Sequence, residues 1–162
     1  MEYPESFPTL KHAEDLQNLY FSTVGRSIRR WQHDTLQLAD KQCYLENCFG
    51  TRCYYWSIFT WDSRRRQMVM GNNAKDALSF LPQSTVADIL KRAVLRIKQR
   101  GYADVLRWWI HDALLMEVEE SRLDEVIAVI GEEMQRPIPE LGGLSLEVEW
   151  AKGKNWGQME GL

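Results

Sequence analysis

No run of about eighteen apolar residues occurs in this sequence, so it lacks a membrane-spanning helix. Its first ten residues, MEYPESFPTL, are acidic and hold no apolar core of the kind a secretory signal requires. Cysteine is scarce. Cys43, Cys48 and Cys53 are few and odd in number, which argues against a disulfide framework and suits reduced thiols. Their C-x4-C-x4-C spacing has no nearby fourth ligand, so it is not a zinc pattern. Internal repeats and low-complexity stretches are also missing. What remains is 162 residues of 44% hydrophobic composition, enough for one domain with a real core.

The net charge of −3 hides a polarity. Residues 1–110 carry 16 Lys/Arg against 11 Asp/Glu, and residues 111–162 carry 4 against 12. A basic segment followed by an acidic one suggests a cationic face for a polyanion, with solvating acid elsewhere.

Val24, Ile28, Trp31, Thr35 and Leu38 fall at helical steps, with Arg26, Arg29 and Arg30 mostly off that stripe. The stretch CYLENCFGTRCYYWSIFTW is aromatic and β-branched, punctuated by Gly50, and reads as a hairpin followed by a polar connection, DSRRRQ. A helix begins near NNAKDALSF, with Asn72 or Asn73 as its cap. The stripe Val86, Ile89, Leu90, Ala93, Val94 and Ile97 then continues helically; Pro82 is expected to kink this helix or divide it. The seven tryptophans read mostly as core or hairpin packing rather than as base-stacking platforms.

The run VLRWWIHDALLMEV places His111 and Asp112 side by side among apolar residues. A buried, unpaired carboxylate costs several kcal/mol and usually protonates instead. The pair therefore belongs at a turn that reaches solvent, or it holds a metal ion or another partner. Alternation on both sides predicts strands over 104–110 and 113–118, with the pair at the hairpin tip. That tip has no glycine, so the turn must be held by its context. SRLDEVIAVIGEEM predicts a helix, with Ser121 and Asp124 as a capping box and Leu123, Val126, Ile127 and Ile130 as its stripe. PIPELGG breaks it, and LSLEVEW, over 144–150, alternates as a final strand. The fold class is α+β: an antiparallel sheet with packed helices.

These stretches together resemble the C-terminal part of family A DNA polymerases, the bacterial DNA polymerase I group. PQSTVADILKRA is similar to that family's Q-G-T-A-A-D-like helix, and IHDALLMEV to its V-H-D-E hairpin. VEWAKGKNWG looks like its V-G-x-N-W-like ending, and YLENCFGTRCYYW like its Y-V-E-T-x-x-G-R-R-R-Y hairpin. Four motifs in the family's order, across roughly residues 20–158, make the signal specific. The resemblance implies one palm-like domain over 1–162. Within it lie N-terminal helices (1–42), a β-hairpin (43–70), a template-primer contacting helix (71–100), and the His-Asp hairpin, helix and final strand (101–162).

Nucleotidyl transfer needs divalent metal to neutralise triphosphate charge and activate the primer hydroxyl. By resemblance, Asp112 is the palm's catalytic metal ligand, for Mg2+ shared with a partner chain, and His111 a contact near the primer end. Gln83 matches the glutamine that touches the template–primer minor groove. Lys75 and Ser79 stand where the family usually has Arg and Asn, and Arg52 matches a basic residue facing duplex backbone. Lysine in place of arginine keeps the charge but loses bidentate geometry. Each assignment has a plainer rival. His111 and Asp112 also suit an ordinary polar turn, Gln83 a side chain satisfying helix backbone beside Pro82, and Lys75 and Arg52 solvated surface charge.

The sequence also departs from the family. Ala113 replaces a second acidic residue, and there is no D-Y-S-Q-I-E-like strand, no K-x-x-x-x-x-x-Y-G-like fingers helix, no exonuclease region and no thumb. One aspartate cannot assemble a two-metal site about 3.5–4 Å across, so the isolated chain is not expected to polymerise. Two functions of different class follow. In one, the chain is the C-terminal palm subunit of a split family A polymerase. It acts on primer–template DNA and deoxynucleoside triphosphates with a second polypeptide, in the cytoplasm of a bacterial or phage-infected cell. In the other, it is a non-catalytic nucleic-acid-binding or assembly module derived from a palm.

Overall fold

The computed structural model describes residues 9–162. Thr9 starts helix α1 (Leu10–Ser22) by accepting the backbone N–H of His12, one of the donors a helix start leaves unpaired. Helix α2 (Arg26–Gln42) ends at Cys43, whose φ of 61° turns the chain into strand β1 (Tyr44–Glu46). β1 pairs antiparallel with β2 (Arg52–Tyr54), as the aromatic run predicted. Gly50, at φ +88° in the connecting loop, takes a conformation that side chains bearing a Cβ rarely adopt. The polar connection DSRRRQ lies at the turn of a second hairpin, β3 (Phe59–Asp62) with β4 (Gln67–Met70).

Helix α3 (Ala74–Gln99) runs through Pro82 without a break. The missing N–H removes one bond to residue 78, which a helix of this length tolerates. The proline nonetheless marks a division, because the chain forms two compact units that part between Leu81 and Pro82. One gathers residues up to Glu46 with Arg52–Leu81; the other gathers Asn47–Thr51 with Pro82–Leu162.

The first unit packs around Leu36, Ala39, Leu45, Tyr55, Ile58, Ala74 and Ala77. The predicted stripe on α2 is rotated from the face that is buried. Of that stripe Thr35 is covered, together with Leu36 and Ala39, while Ile28, Trp31 and Leu38, and Val24 just before α2, stay exposed, since only the second half of α2 reaches the core.

The second unit contains β5 (Leu106–Ile110) paired with β6 (Ala113–Met116), with Arg107 at an irregularity in the register. Helix α4 (Leu123–Met134) packs Val126 and Ile130 against Ile97 and Val105, as its stripe predicted. The expected capping box does not form. A short 3-10 turn over Glu120–Arg122 leads into α4, and no side chain caps it.

LSLEVEW is not a strand: Leu144 makes one bridge to Ile138, and 145–150 has no ladder partner. The chain instead closes with β7 (Ala151–Lys152) and β8 (Glu160–Gly161). Alternation marks a strand that has one buried face, but it does not supply a partner. The described residues therefore hold four two-stranded antiparallel ladders with packed helices, an α+β fold without a three-stranded central sheet.

Most tryptophans are not core packing. Trp150 packs on the second core, but Trp31, Trp56, Trp61, Trp108, Trp109 and Trp156 are all exposed. Trp61, Trp108 and Trp109 lie on two-stranded ribbons, which leave rings open to solvent, whereas Trp31 is on α2 and Trp56 and Trp156 are outside strands.

Candidate metal-binding turn and nucleic-acid interface

Ile110 and Ala113 are the last paired residues of the β5–β6 hairpin, which leaves His111 and Asp112 alone at its tip. Both are exposed, so the first alternative raised by the sequence holds: the pair sits where the chain meets solvent. His111 has φ 52°, a place where hairpins usually have glycine. The Trp109 indole N–H donates to the His111 carbonyl at 2.6 Å, and this contact supplies the context that fixes the turn. Arg107 reaches across to Glu117 at 2.8 Å.

Magnesium is the ion the resemblance implies, and the residues here do not fit it by themselves. Among the described residues, no group of three or more His, Cys, Asp or Glu comes together. Asp112 offers one exposed carboxylate beside Ala113, and two-metal chemistry needs bridging carboxylates.

Lys75, Ser79 and Gln83 fall four residues apart along α3, the spacing that repeats one helical face. Lys75 and Gln83 are exposed, and Ser79 donates to the Asp76 carbonyl at 3.1 Å. Among the described residues, the Gln83 side chain makes no hydrogen bond to helix backbone, the plainer role weighed for it. Arg52 is engaged differently. It pairs with Glu46, its direct cross-strand neighbour, and its guanidinium lies 5.0 Å from the centroid of the Tyr44 ring. The Glu46 carboxylate pushes the Arg52 pKa up, so the charge is secure but locally neutralised.

Two buried carboxylates lie outside the residues the motifs point to. Asp88 is 8% exposed and accepts from Asn47 Nδ2 at 2.8 Å, Thr51 Oγ1 at 2.7 Å and Lys91 Nζ at 3.0 Å. Burial alone would raise its pKa; the hydrogen bonds from Asn47, Thr51 and Lys91 outweigh burial and hold it at about 2. Asn47 also accepts the N–H groups of Phe49 and Thr51, so one side chain organises the loop and ties it to Asp88. The available signal was an acid set among Val86, Ile89 and Leu90, because a carboxylate there must find donors.

Glu133, 5% exposed, is the second. It meets Arg96 at 2.8 Å, Arg100 at 3.2 Å and Arg136 at 3.6 Å, and those partners outweigh burial to lower its pKa. Arg100 also pairs with Glu132 and Arg92 with Glu140, each at 2.6 Å. The acid of the second half is thus partly consumed by the basic residues of α3. The cationic surface is narrower than the charge polarity suggested.

Comparison with known proteins places this geometry in context. A family profile described as DNA polymerase family A matches residues 7–158. Thermostable DNA polymerase I of Thermus filiformis is 31% identical over 150 residues, which are 90% of this chain and 17% of that protein. The Thermus thermophilus enzyme is 30% identical over 141 residues, 85% of this chain and 16% of that one. The DNA polymerase of Mycobacterium phage L5 is 28% identical over 158 residues, 96% of this chain and 23% of that protein. Among solved structures, the POL domain of Pol1 from M. smegmatis, in complex with DNA primer-template and dNTP, superposes with a TM-score of 0.61 at 26% identity. That match covers 78% of this chain and 22% of the other. The chain therefore spans about a sixth to a quarter of the length of these relatives. No helix among the described residues is long and apolar enough to cross a membrane.

Proposed function

The chain belongs to DNA polymerase family A, and from that premise we propose that it acts as the C-terminal palm portion of such an enzyme. Asp112 is its metal-binding carboxylate, and His111 is the neighbour of the primer end. A second polypeptide brings the other aspartate, the fingers and the thumb. The observation that carries this reading is the His111–Asp112 pair at the solvent-facing tip of β5–β6, within a family match covering 7–158. Lys75, Ser79 and Gln83 on α3 meet the template–primer duplex, and Arg52 meets its backbone with Glu46 still paired beside it. Mg2+ and deoxynucleoside triphosphates are ligands of the assembled pair, not of this chain alone.

A second reading, a non-catalytic DNA-binding or assembly module, draws on Ala113 and on the single carboxylate at the turn. One experiment separates the two. The chain is mixed with a family A polypeptide truncated after its fingers and assayed with primed template and magnesium, wild type against Asp112→Ala. The palm reading expects extension by the wild-type pair, loss of extension in Asp112→Ala, and undiminished complex formation, because the aspartate lies at a turn outside the core. Equal extension by both variants, or none by either in an assembled complex, favours the non-catalytic module.

A further inference from the structure

We propose that the β3–β4 ribbon is a second nucleic-acid contact, holding an unpaired strand through the phosphates at Arg64 and Arg66 and one base on Trp61. The proposal rests on the polymerase reading for its polyanion, but it uses none of the residues assigned there. The turn of this ribbon is built to present charge. The Asp62 carboxylate accepts the backbone N–H of Arg64 at 2.8 Å and of Arg65 at 3.1 Å, and also faces the Arg65 guanidinium at 3.7 Å. Arg66 sits in the left-handed region at φ 52°.

Asp62 is thus committed to the turn and to Arg65. Among the described residues, no carboxylate pairs with Arg64 or Arg66, and both are exposed. Two unneutralised guanidiniums on a fixed turn differ from Arg52, Arg92, Arg96 and Arg100, each of which has an acidic partner.

The strands behind the turn add the second half of the site. Trp61 is 62% exposed and its directly opposed partner, Met68, is 57% exposed. Opposed residues of an antiparallel pair share a face, so Trp61 and Met68 stand together on a face that is open to solvent. An exposed indole on the ribbon whose turn carries the free arginines matches the requirements of single-stranded nucleic acid, where bases stack on aromatic rings and phosphates meet cations. A duplex keeps its bases stacked on one another and offers no base to Trp61.

Binding of fluorescein-labelled dT15 to the full chain is followed by anisotropy across a salt series. Each phosphate neutralised on a single strand contributes about 0.7 to the slope of log K against log salt, so Arg64→Gln/Arg66→Gln is expected to flatten the slope by about 1.4. Trp61→Ala is expected to weaken binding about 5- to 150-fold, the loss of one stacked base, with the slope unchanged, and Trp61→Phe to restore most of it. A blunt 15-bp duplex is expected to be insensitive to Trp61→Ala. Absent dT15 binding at low salt, an unchanged slope in the arginine double variant, or equal losses on dT15 and duplex would each overturn the proposal. All three substitutions are on exposed side chains, and far-UV circular dichroism checks that the variants stay folded. Failure here leaves the Asp112 reading standing, because that is read by primer extension.

Discussion

The bond set around Asp88 makes a quantitative claim about acid stability. The carboxyl is displaced from an ordinary 3.8 to about 2. At about 1.4 kcal/mol per factor of ten in acidity, that displacement is worth about 2 kcal/mol in favour of the folded state. Because the folded pKa is depressed, the contribution is fully present above the unfolded value near 3.8 and is lost as pH falls through about 2. Asp88→Asn keeps an acceptor for Asn47 and Thr51 but removes the charge. It should therefore cost about 2 kcal/mol at pH 6, since hydrogen bonds to charged groups contribute about 1.5–3 kcal/mol against about 1 for neutral ones. Urea denaturation followed by circular dichroism at pH 6, 4, 3 and 2 measures both quantities. The gap between wild type and Asp88→Asn should narrow by about 2 kcal/mol over this range. A double-mutant cycle with Asn47→Ala should show coupling above about 0.5 kcal/mol, as expected for residues in one network. A gap that stays constant from pH 6 to pH 2, or a cycle that closes to zero, would refute the clamp.

Glu133→Gln leaves three arginines facing a neutral amide in a buried position, so a loss of about 2 kcal/mol is expected by urea titration. The lowered Glu133 pKa gives the same sign as at Asp88: the contribution is present above about 4.5 and lost as pH falls further, so the variant's acid limb should be flatter. His111→Gly should leave stability within about 1 kcal/mol of wild type or raise it, because relief of the left-handed backbone offsets glycine's extra chain entropy. His111→Val, β-branched, should lower the thermal midpoint at the same position. For duplex DNA, Lys75→Gln should reduce the salt slope by about 0.9, whereas Arg52→Gln should reduce it by less, because Glu46 already neutralises that charge. Equal slopes for both variants would indicate that the Arg52–Glu46 pair opens on binding.

The local elements were legible in the residues because local rules govern them. The β1–β2 hairpin followed from an aromatic, β-branched run broken at Gly50, and the β5–β6 hairpin from alternation on both sides of His111–Asp112. Of the stripe Val86, Ile89, Leu90, Ala93, Val94 and Ile97 on α3, Ile89, Leu90, Ala93 and Ile97 are buried, while Val86 stays exposed. Position and type were enough, since strand and helix periods are written residue by residue. The family was legible too, because four short motifs keep their order even where single residues such as Ala113 and Lys75 have changed.

Non-local pairing was another matter. LSLEVEW alternates as a strand does, yet no neighbour supplies its ladder, and the rotated face of α2 depended on where Leu45, Tyr55 and Ile58 came to lie. Charge depends on the same distant pairing: composition counts Arg92, Arg96 and Arg100 as available cations, while the fold spends them on Glu140, Glu133 and Glu132. Asp88 needed three donors from positions up to 41 residues away, and Trp61 needed a strand partner that left it uncovered. Periodicity and motif order belong to the chain itself. Which carboxylate is buried, which arginine is free and which ring faces solvent belong to contacts between distant residues, and tertiary structure alone decided them.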